Sequence, residues 1–373
     1  MEKKTQREVF SPGEFIREEL EARGWTQKDL AAIMGRPLPT INEIITAKKA
    51  VTPETAIDLS KAFGTSAELW MNLESAYRLS LVASDDDDIA RRAAMFKIAP
   101  VNEMVKRNWI SGTDSAGALE KELLRFFDTA SLSDKPTLTL AARKSTTYDA
   151  ATPEQIAWAC RVRNLAKAVS AAPFNPRSFE KGLDALRAYV GHEANVRKIP
   201  AFLASLGVRL VVVEYLPRMK MDGVTLWLND KAPVVGLSMR FDRIDYFWFT
   251  LVHELIHVKY HDGFSFDERL AGEESLATSE KPEAEQRADT EATQFLVPRS
   301  EMDSFVARVA PLFYRPKINQ FANRIKVHPG IIVGQLQRRG VLHYSQQRES
   351  LVKVRDMLIP NAMVDGWGFS PKL

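Results

Sequence analysis

The chain has 373 residues, 45% of them hydrophobic, with 51 Lys and Arg against 48 Asp and Glu for a formal net charge of +3. That length suits about two to three domains with real cores, and so even a charge balance excludes wholesale polyanion binding, leaving only a local patch to meet nucleic acid. The charged start Met1-Glu-Lys-Lys-Thr-Gln-Arg7 has no apolar run behind it, and no stretch approaches the roughly 18 apolar residues of a membrane span, so a cytoplasmic protein without a membrane partner is expected.

Residues 11–80 form the first expected domain. Five short helical segments are punctuated by Pro12 at an N-terminus, Gly24 after the first helix, Thr26 capping the second, Gly35 ending it, Thr52-Pro53 opening the fourth and Gly64 closing it. Phe15, Ile16, Leu20, Leu30, Ile33, Ile41, Ile44, Ile45, Ile57, Leu59 and Phe63 supply an all-α core. The run Trp25-Thr-Gln-Lys-Asp-Leu-Ala-Ala-Ile-Met-Gly35, then Thr40-Ile-Asn-Glu-Ile-Ile45, Lys48-Lys49 and Ala67-Glu-Leu-Trp-Met-Asn-Leu73 resembles the HigA branch of the Cro/CI helix-turn-helix family. The resemblance implies a third helix whose N-terminal end enters the major groove of operator DNA. Gln27, Arg36, Leu38, Thr40, Asn42 and Glu43 are then candidates for base edges, and Lys28, Lys48 and Lys49 for phosphates. It also implies a homodimer on paired half-sites and a cognate toxin as partner.

Residues 81–194 read as a helical region between two modules. Asp85 to Asp88 follow Ser84 at a helix start, where negative charge suits the macrodipole, and they lack calcium-ligand spacing. Leu119–Phe127, Pro153–Val169 and Phe179–Val190 are amphipathic helices. Cys160 on the second of these is the single cysteine, which excludes an internal disulfide and suits packing. The polar stretch 140–148 reads as an arm or linker.

Strands are expected at Val208–Tyr215, Val224–Leu228 and Val234–Ser238, short and β-branched, with Asp222-Gly223 as a turn. They give a small sheet in an α+β domain over residues 195–342, whose edge could hold an extended peptide by strand addition. Residues 343–373 read as a C-terminal tail.

After the strands, Ile244 to Val258 is apolar on nearly every side and contains His253-Glu-Leu-Ile-His257. Residues four apart stand on one face of a helix, so both imidazoles can share a zinc ion while Glu254 serves as general base for its water. The bare five-residue pattern arises by chance in on the order of one chain in a hundred of this length, so its setting carries the argument. His261 lies about 12 Å from His253 along a straight helix, too far to share the metal, and is cast as a hydrogen-bond donor behind a metal ligand or on the oxyanion side. The metzincin pattern is excluded, since Tyr260 and Gly263 stand where it needs Gly and His.

A second helix opened by Pro282 supplies the third ligand: Glu285 and Asp289 share a face with Ala292, so Glu285 could ligate while Asp289 fixes a histidine tautomer. Glu283 and Glu291 are fallback ligands. Residues 262–281 read as a loop or lid. Ile318 to Leu342 reads as helix, turn, helix; its Arg324, Lys326, Arg338 and Arg339 could touch DNA, although packing on the zinc domain is preferred. His328 and His343 lack a ligand partner in sequence and read as structural.

The segments Pro233-Val-Val-Gly-Leu-Ser-Met-Arg240, Phe247-Trp-Phe-Thr-Leu-Val-His-Glu-Leu-Ile-His257, Glu285-Gln-Arg-Ala-Asp289 and Phe295-Leu-Val-Pro298 resemble the ImmA/IrrE-type metallopeptidases over roughly residues 195–340. The resemblance implies a zincin-like fold and a zinc peptidase that cuts DNA-binding repressors. One departure stands out: the family reads Glu-x-Glu-Ala-Asn/Asp, and here Arg287 occupies the place of the second Glu. If that Glu is the ligand, the site is crippled; if Glu285 is, the site is intact.

Three functions compete. One is an operator-binding regulator carrying a zinc endopeptidase that cleaves a partner regulator or itself. Another is an antitoxin or sensor with a non-catalytic zincin fold. The third is a protease whose N-terminal domain docks on a repressor. Zinc stoichiometry with cleavage separates the first two, and the salt dependence of operator binding separates the first from the third.

Overall fold

The computed structural model describes residues 10–82, 88–134, 151–262, 265–267 and 282–371. The chain divides into two compact units, residues 1–87 and 88–373.

The first unit is all helical: α1 (Pro12–Arg23), α2 (Gln27–Met34), α3 (Leu38–Ile45), α4 (Pro53–Phe63) and α5 (Ala67–Val82). Its sequence punctuation acts as expected. Ser11 and Glu14, then Thr26 and Asp29, close capping boxes, and Gly24, Gly35 and Gly64 take left-handed backbone at the helix ends. A Cβ on Gly13 would stand 2.0 Å from the Ile45 carbonyl oxygen, so only glycine lets α1 approach α3 this closely. Phe63 packs between Trp25 and Trp70 at ring distances of 6.2 and 5.7 Å. Two expected core residues are exposed, Ile33 at 50% and Ile57 at 46%. On α2 the buried stripe runs through Leu30 to Met34 one turn later, and on α4 through Ala56, Leu59 and Phe63; both isoleucines fall off those stripes.

The second unit is built on a mixed sheet of β1 (Arg209–Val213), β2 (Gly223–Trp227), β3 (Pro233–Leu237), β4 (Ser265–Asp267) and β5 (Met363–Asp365), in the order β4-β2-β3-β1-β5. β1 runs parallel to β3 and β5, whereas β2 is antiparallel to β3 and β4. β1, β2 and β3 are apolar on both faces because both are covered. One face, with Val211, Val213, Val224 and Val234, packs on α6 (Asp88–Ile98), α7 (Val101–Lys106), α8 (Ala116–Phe127) and α9 (Pro153–Ala166). The other, with Leu210, Val212, Val235 and Leu237, meets a larger helical layer. That layer holds α10 (Pro176–Leu186), α11 (Ile199–Ser205), α12 (Ile244–Tyr260), α13 (Glu283–Leu296), α14 (Arg299–Val309), α15 (Arg315–Ile325), α16 (Pro329–Arg338) and α17 (Arg355–Leu358).

Two expected boundaries are corrected. Residues 81–194 do not stand apart from the sheet unit: α6 to α9 cover one of its faces, α10 joins the layer on the other, and Trp158 Nε1 on α9 donates to the Val213 carbonyl at 3.0 Å. Residues 343–373 are not a tail, since β5 completes the sheet and Asp365 is buried against Arg161 and Trp109. Both segments are amphipathic, and their apolar faces need the sheet as partner. Cys160 is fully buried, and burial pushes its thiol up to about 12. Asp85 to Asp87, the 140–148 stretch and most of 262–281 lie outside the described residues. No helix among the described residues is long and apolar enough to cross a membrane.

Candidate metal centre and nucleic-acid interface

α12 is buried over almost its whole length, and His253, Glu254 and His257 are 0%, 0% and 1% exposed. Its end is set by His261, which adopts left-handed backbone at φ 53°, and Asp262 N donates to the His257 carbonyl at 3.0 Å. This turn carries the Asp262 carboxylate back to His257 Nδ1 at 2.9 Å.

α13 approaches α12 closely because the residues between them, Ala288 and Ala292, are small and fully buried. Glu285 thereby reaches both rings, its Oε2 lying 3.1 Å from His253 Nε2 and its Oε1 3.3 Å from His257 Nε2. The two Nε2 atoms are 3.2 Å apart. Zinc held by bonds of about 2.0–2.1 Å in a tetrahedron sets its ligand atoms about 3.3 Å from one another, so these three spacings suit such an ion. His253, His257 and Glu285 are the metal-capable cluster among the described residues.

The outer ring nitrogens face carboxylates. His253 Nδ1 is 3.2 Å from Asp289 Oδ1, and Asp289 is approached by Arg338 at 3.4 Å. His257 Nδ1 meets Asp262, whose two oxygens lie 2.8 and 2.7 Å from Arg287 Nη2. Burial disfavours a charge on His257, yet Asp262 and Glu285 outweigh it and hold the imidazole up to about 10. Burial also works against ionised Glu285, but the two histidines hold its carboxyl well below the usual range. A metal ion bound through the two Nε2 atoms would compete with protons for the same lone pairs.

Glu254, on α12 between the two histidines, faces β2. The Thr225 hydroxyl lies 2.7 Å from Glu254 Oε2, and a Cβ on Gly223 would stand 2.6 Å from Glu254 Oε1, so glycine is what lets this strand run past the carboxylate. β4 pairs with β2 along Gly223–Thr225, so the sheet edge nearest the site already carries a strand of the chain itself.

The structure thus brings together His253, Glu254, His257, Glu285 and Asp289. Of the fallback ligands, Glu291 is taken by Lys259 at 2.9 Å and Tyr260, and Glu283 is exposed. His261 is not joined to the cluster by any described contact. Its ring lies tilted 3.9 Å from that of Trp227, and the place beside a histidine ligand expected of it falls to the next residue, Asp262. Sequence reasoning missed Thr225 and Asp262, and it named Arg287 and Arg338 without their partners Asp262 and Asp289, because Thr225 and Arg338 come from distant elements and Asp262 follows a left-handed turn at a non-glycine residue. Arg338 belongs to α16, which packs on α12 rather than standing free. His328 caps α16 through Gly330 N and pairs with Glu193 at 3.0 Å.

In the first unit, α3 buries Ile41, Ile44 and Ile45 and exposes Leu38, Asn42 and Glu43, with Thr40 half-buried. Lys48 and Lys49 are exposed just beyond it, as is Lys28 on α2, and Gln27 is half-buried. Arg36 differs from these: its guanidinium reaches Asp58 at 3.0 and 2.7 Å and Thr55 at 3.2 Å, so it fastens α4.

The helix-turn-helix family model matches residues 16–70. Over 87 residues the chain is 33% identical to virulence-associated protein I of Dichelobacter nodosus, an alignment covering 23% of this chain and 81% of that protein. It is 37% identical over 78 residues to antitoxin HigA-1 of Vibrio cholerae, covering 21% and 73%. Among solved structures, the Pseudomonas aeruginosa antitoxin HigA with the higBA promoter is 35% identical, covering 20% of this chain and 80% of that one at a TM-score of 0.19.

Proposed function

The chain belongs to the helix-turn-helix family through its N-terminal unit, and we propose that it is a DNA-binding transcriptional regulator of HigA antitoxin type whose second unit is an ImmA/IrrE-type zinc endopeptidase. The regulator half rests on the match over residues 16–70 and on the relatives, among them an antitoxin. α3 then presents Leu38, Thr40, Asn42 and Glu43 to base edges, with Gln27 beside them and Lys28, Lys48 and Lys49 on phosphates. Two copies on paired half-sites form the operator complex, and a cognate toxin is the partner that the antitoxin relatives suggest.

The peptidase half is carried by one observation: two helical histidines and Glu285 converge within 4.8 Å in a buried site, with Glu254 alongside. His253, His257 and Glu285 would hold zinc, which when bound acidifies water and polarises a peptide carbonyl. Glu254, fixed by Thr225, takes the water's proton and returns it to the leaving amine. The substrate is a partner regulator or the chain itself. β4 is the outermost described strand on this side, so an extended peptide can pair with β2 only if β4 gives way and otherwise adds beside β4.

Metal content of the purified chain beside Glu285→Ala is the test, followed by incubation with any DNA-binding regulator encoded beside it and a search for cleavage of the chain itself. About one zinc per chain, lost in the variant, together with cleavage, is expected. A second reading, an antitoxin or sensor with a non-catalytic zincin fold, is favoured by the complete burial of Glu254 and its engagement by Thr225. Bound zinc without cleavage of any neighbouring regulator would select it.

A further inference from the structure

Resting on the metal-site reading above, we infer that Arg287 and Asp262 are positioning residues for His257. Arg287, where the ImmA/IrrE pattern has Glu, is then part of the site's support.

The geometry runs in one direction. His257 turns Nε2 toward His253 and Glu285, and Nδ1 toward Asp262 at 2.9 Å. A carboxylate at Nδ1 fixes the proton there and leaves the Nε2 lone pair for a metal. Asp262 sits one residue beyond the helix cap and is half-buried, so its position depends on a partner. Arg287 supplies one across the helix pair: its Nη2 lies within 2.8 Å of both Asp262 oxygens, and its guanidinium lies 4.1 Å from the Tyr260 ring centroid. Tyr260 in turn donates to Glu291 on α13. The same construction recurs on the other ring, where Asp289 faces His253 and Arg338 faces Asp289.

Arg287 could act on the metal in two opposed ways, and the sign separates them. As a bare cation near the site it would repel a metal, so removing it would tighten binding. As the anchor of Asp262 it orders a ligand, so removing it weakens binding.

The experiment is competition of the full chain with a chromophoric chelator for zinc, using the unaltered protein, Asp262→Asn, Arg287→Ala, Arg287→Lys and the Asp262→Asn/Arg287→Ala double variant. Asp262→Asn should bind zinc roughly 10–100-fold more weakly, the effect typical of removing an outer-shell partner. Arg287→Ala should weaken it about 10-fold, with Arg287→Lys in between, since lysine restores charge but not the planar fork. In the Asp262→Asn background, Arg287→Ala should add less than about threefold, because it acts through a carboxylate no longer present. Melting of the metal-free proteins checks that the fold persists; Arg287 is 35% exposed, so its replacement leaves the core intact. Equal or tighter zinc binding by Arg287→Ala overturns the inference and leaves the metal site standing. Absence of zinc from the unaltered chain overturns the metal-site reading, and the inference with it.

Discussion

The Thr225 hydroxyl lies 2.7 Å from the Glu254 carboxylate and 2.9 Å from the Glu254 backbone oxygen, tying β2 to the helix that carries both histidines. A general base needs a fixed direction as much as a suitable proton affinity, and this contact supplies it in a fully buried setting. Glu254→Gln should therefore keep zinc and operator DNA while cleavage falls by at least about 100-fold. Thr225→Val, nearly isosteric, should also keep zinc, lower cleavage and cost about 1–3 kcal/mol of stability. Zinc content, operator titration and timed cleavage assays on the two variants check this; undiminished cleavage by Glu254→Gln would remove Glu254 from the base role.

On the DNA side, exposed Lys48 and Lys49 and the paired Arg36 should separate cleanly. Replacing either lysine with Ala should weaken binding to all sequences alike and reduce the slope of log affinity against log salt by about 0.9 for each phosphate no longer neutralised. Asn42→Ala should instead relax discrimination at one base pair, by about 1–3 kcal/mol. Arg36→Ala should lower the melting temperature of the first unit, since its guanidinium serves Asp58 and Thr55. Titrations at several salt concentrations, with thermal melts, decide among these; an unchanged slope for both lysine variants would place the phosphates elsewhere.

Much of this organisation is legible in sequence because it is local. Capping residues announce themselves at fixed offsets, and three of the strands are readable from β-branched runs between turns. Helical periodicity alone places Glu285 and Asp289 on one face, and both reach the histidines. What stays hidden depends on long-range pairing. β5 is three residues long and is placed by pairing with β1, some 150 residues earlier, and by Arg161 and Trp109 around Asp365. Asp262 depends on a left-handed turn at a histidine, a position where glycine would have given warning. Ile33 and Ile57 depart from the expected core because hydrophobic character alone does not carry the angle each residue takes about its helix.

His328 gives the second unit a pH dependence apart from the metal site. Burial lowers its proton affinity, Glu193 opposes this, and the net value lies below the ordinary 6.5. The folded chain therefore binds fewer protons here than the unfolded chain as pH falls below about 6.5. Stability from this group is accordingly present above 6.5 and is lost as pH drops through the lowered folded value. His328→Asn keeps a side-chain acceptor for Gly330 N at the start of α16 but cannot titrate. Urea unfolding at pH 7.5 and 5.5 should show a smaller acid-side loss in the variant than in the unaltered chain. An identical loss in both would assign the acid sensitivity to other groups.

Asp365 decides whether the C-terminal segment belongs to the folded unit. Its carboxylate is 2.5 Å from Arg161 Nε and accepts Trp109 Nε1 at 2.8 Å, with both members of the ion pair at most 6% exposed. Arg161 comes from α9 and Trp109 from the turn after α7, so one side chain on β5 joins the sheet to the helical face that covers it. Taking such a pair out of water is costly, but removing one partner is costlier, because the other charge stays buried without compensation. Asp365→Ala should destabilise the second unit by about 3–5 kcal/mol while the first unit's melting and DNA binding remain. Truncation after residue 342 should do more, since it also strips β5 from β1 and Val354 and Leu358 from the core. Separate unfolding transitions for the two units, followed by calorimetry, report the effect. A second-unit transition unmoved by Asp365→Ala would mean that Arg161 finds another acceptor, and that β5 is held by its backbone pairing alone.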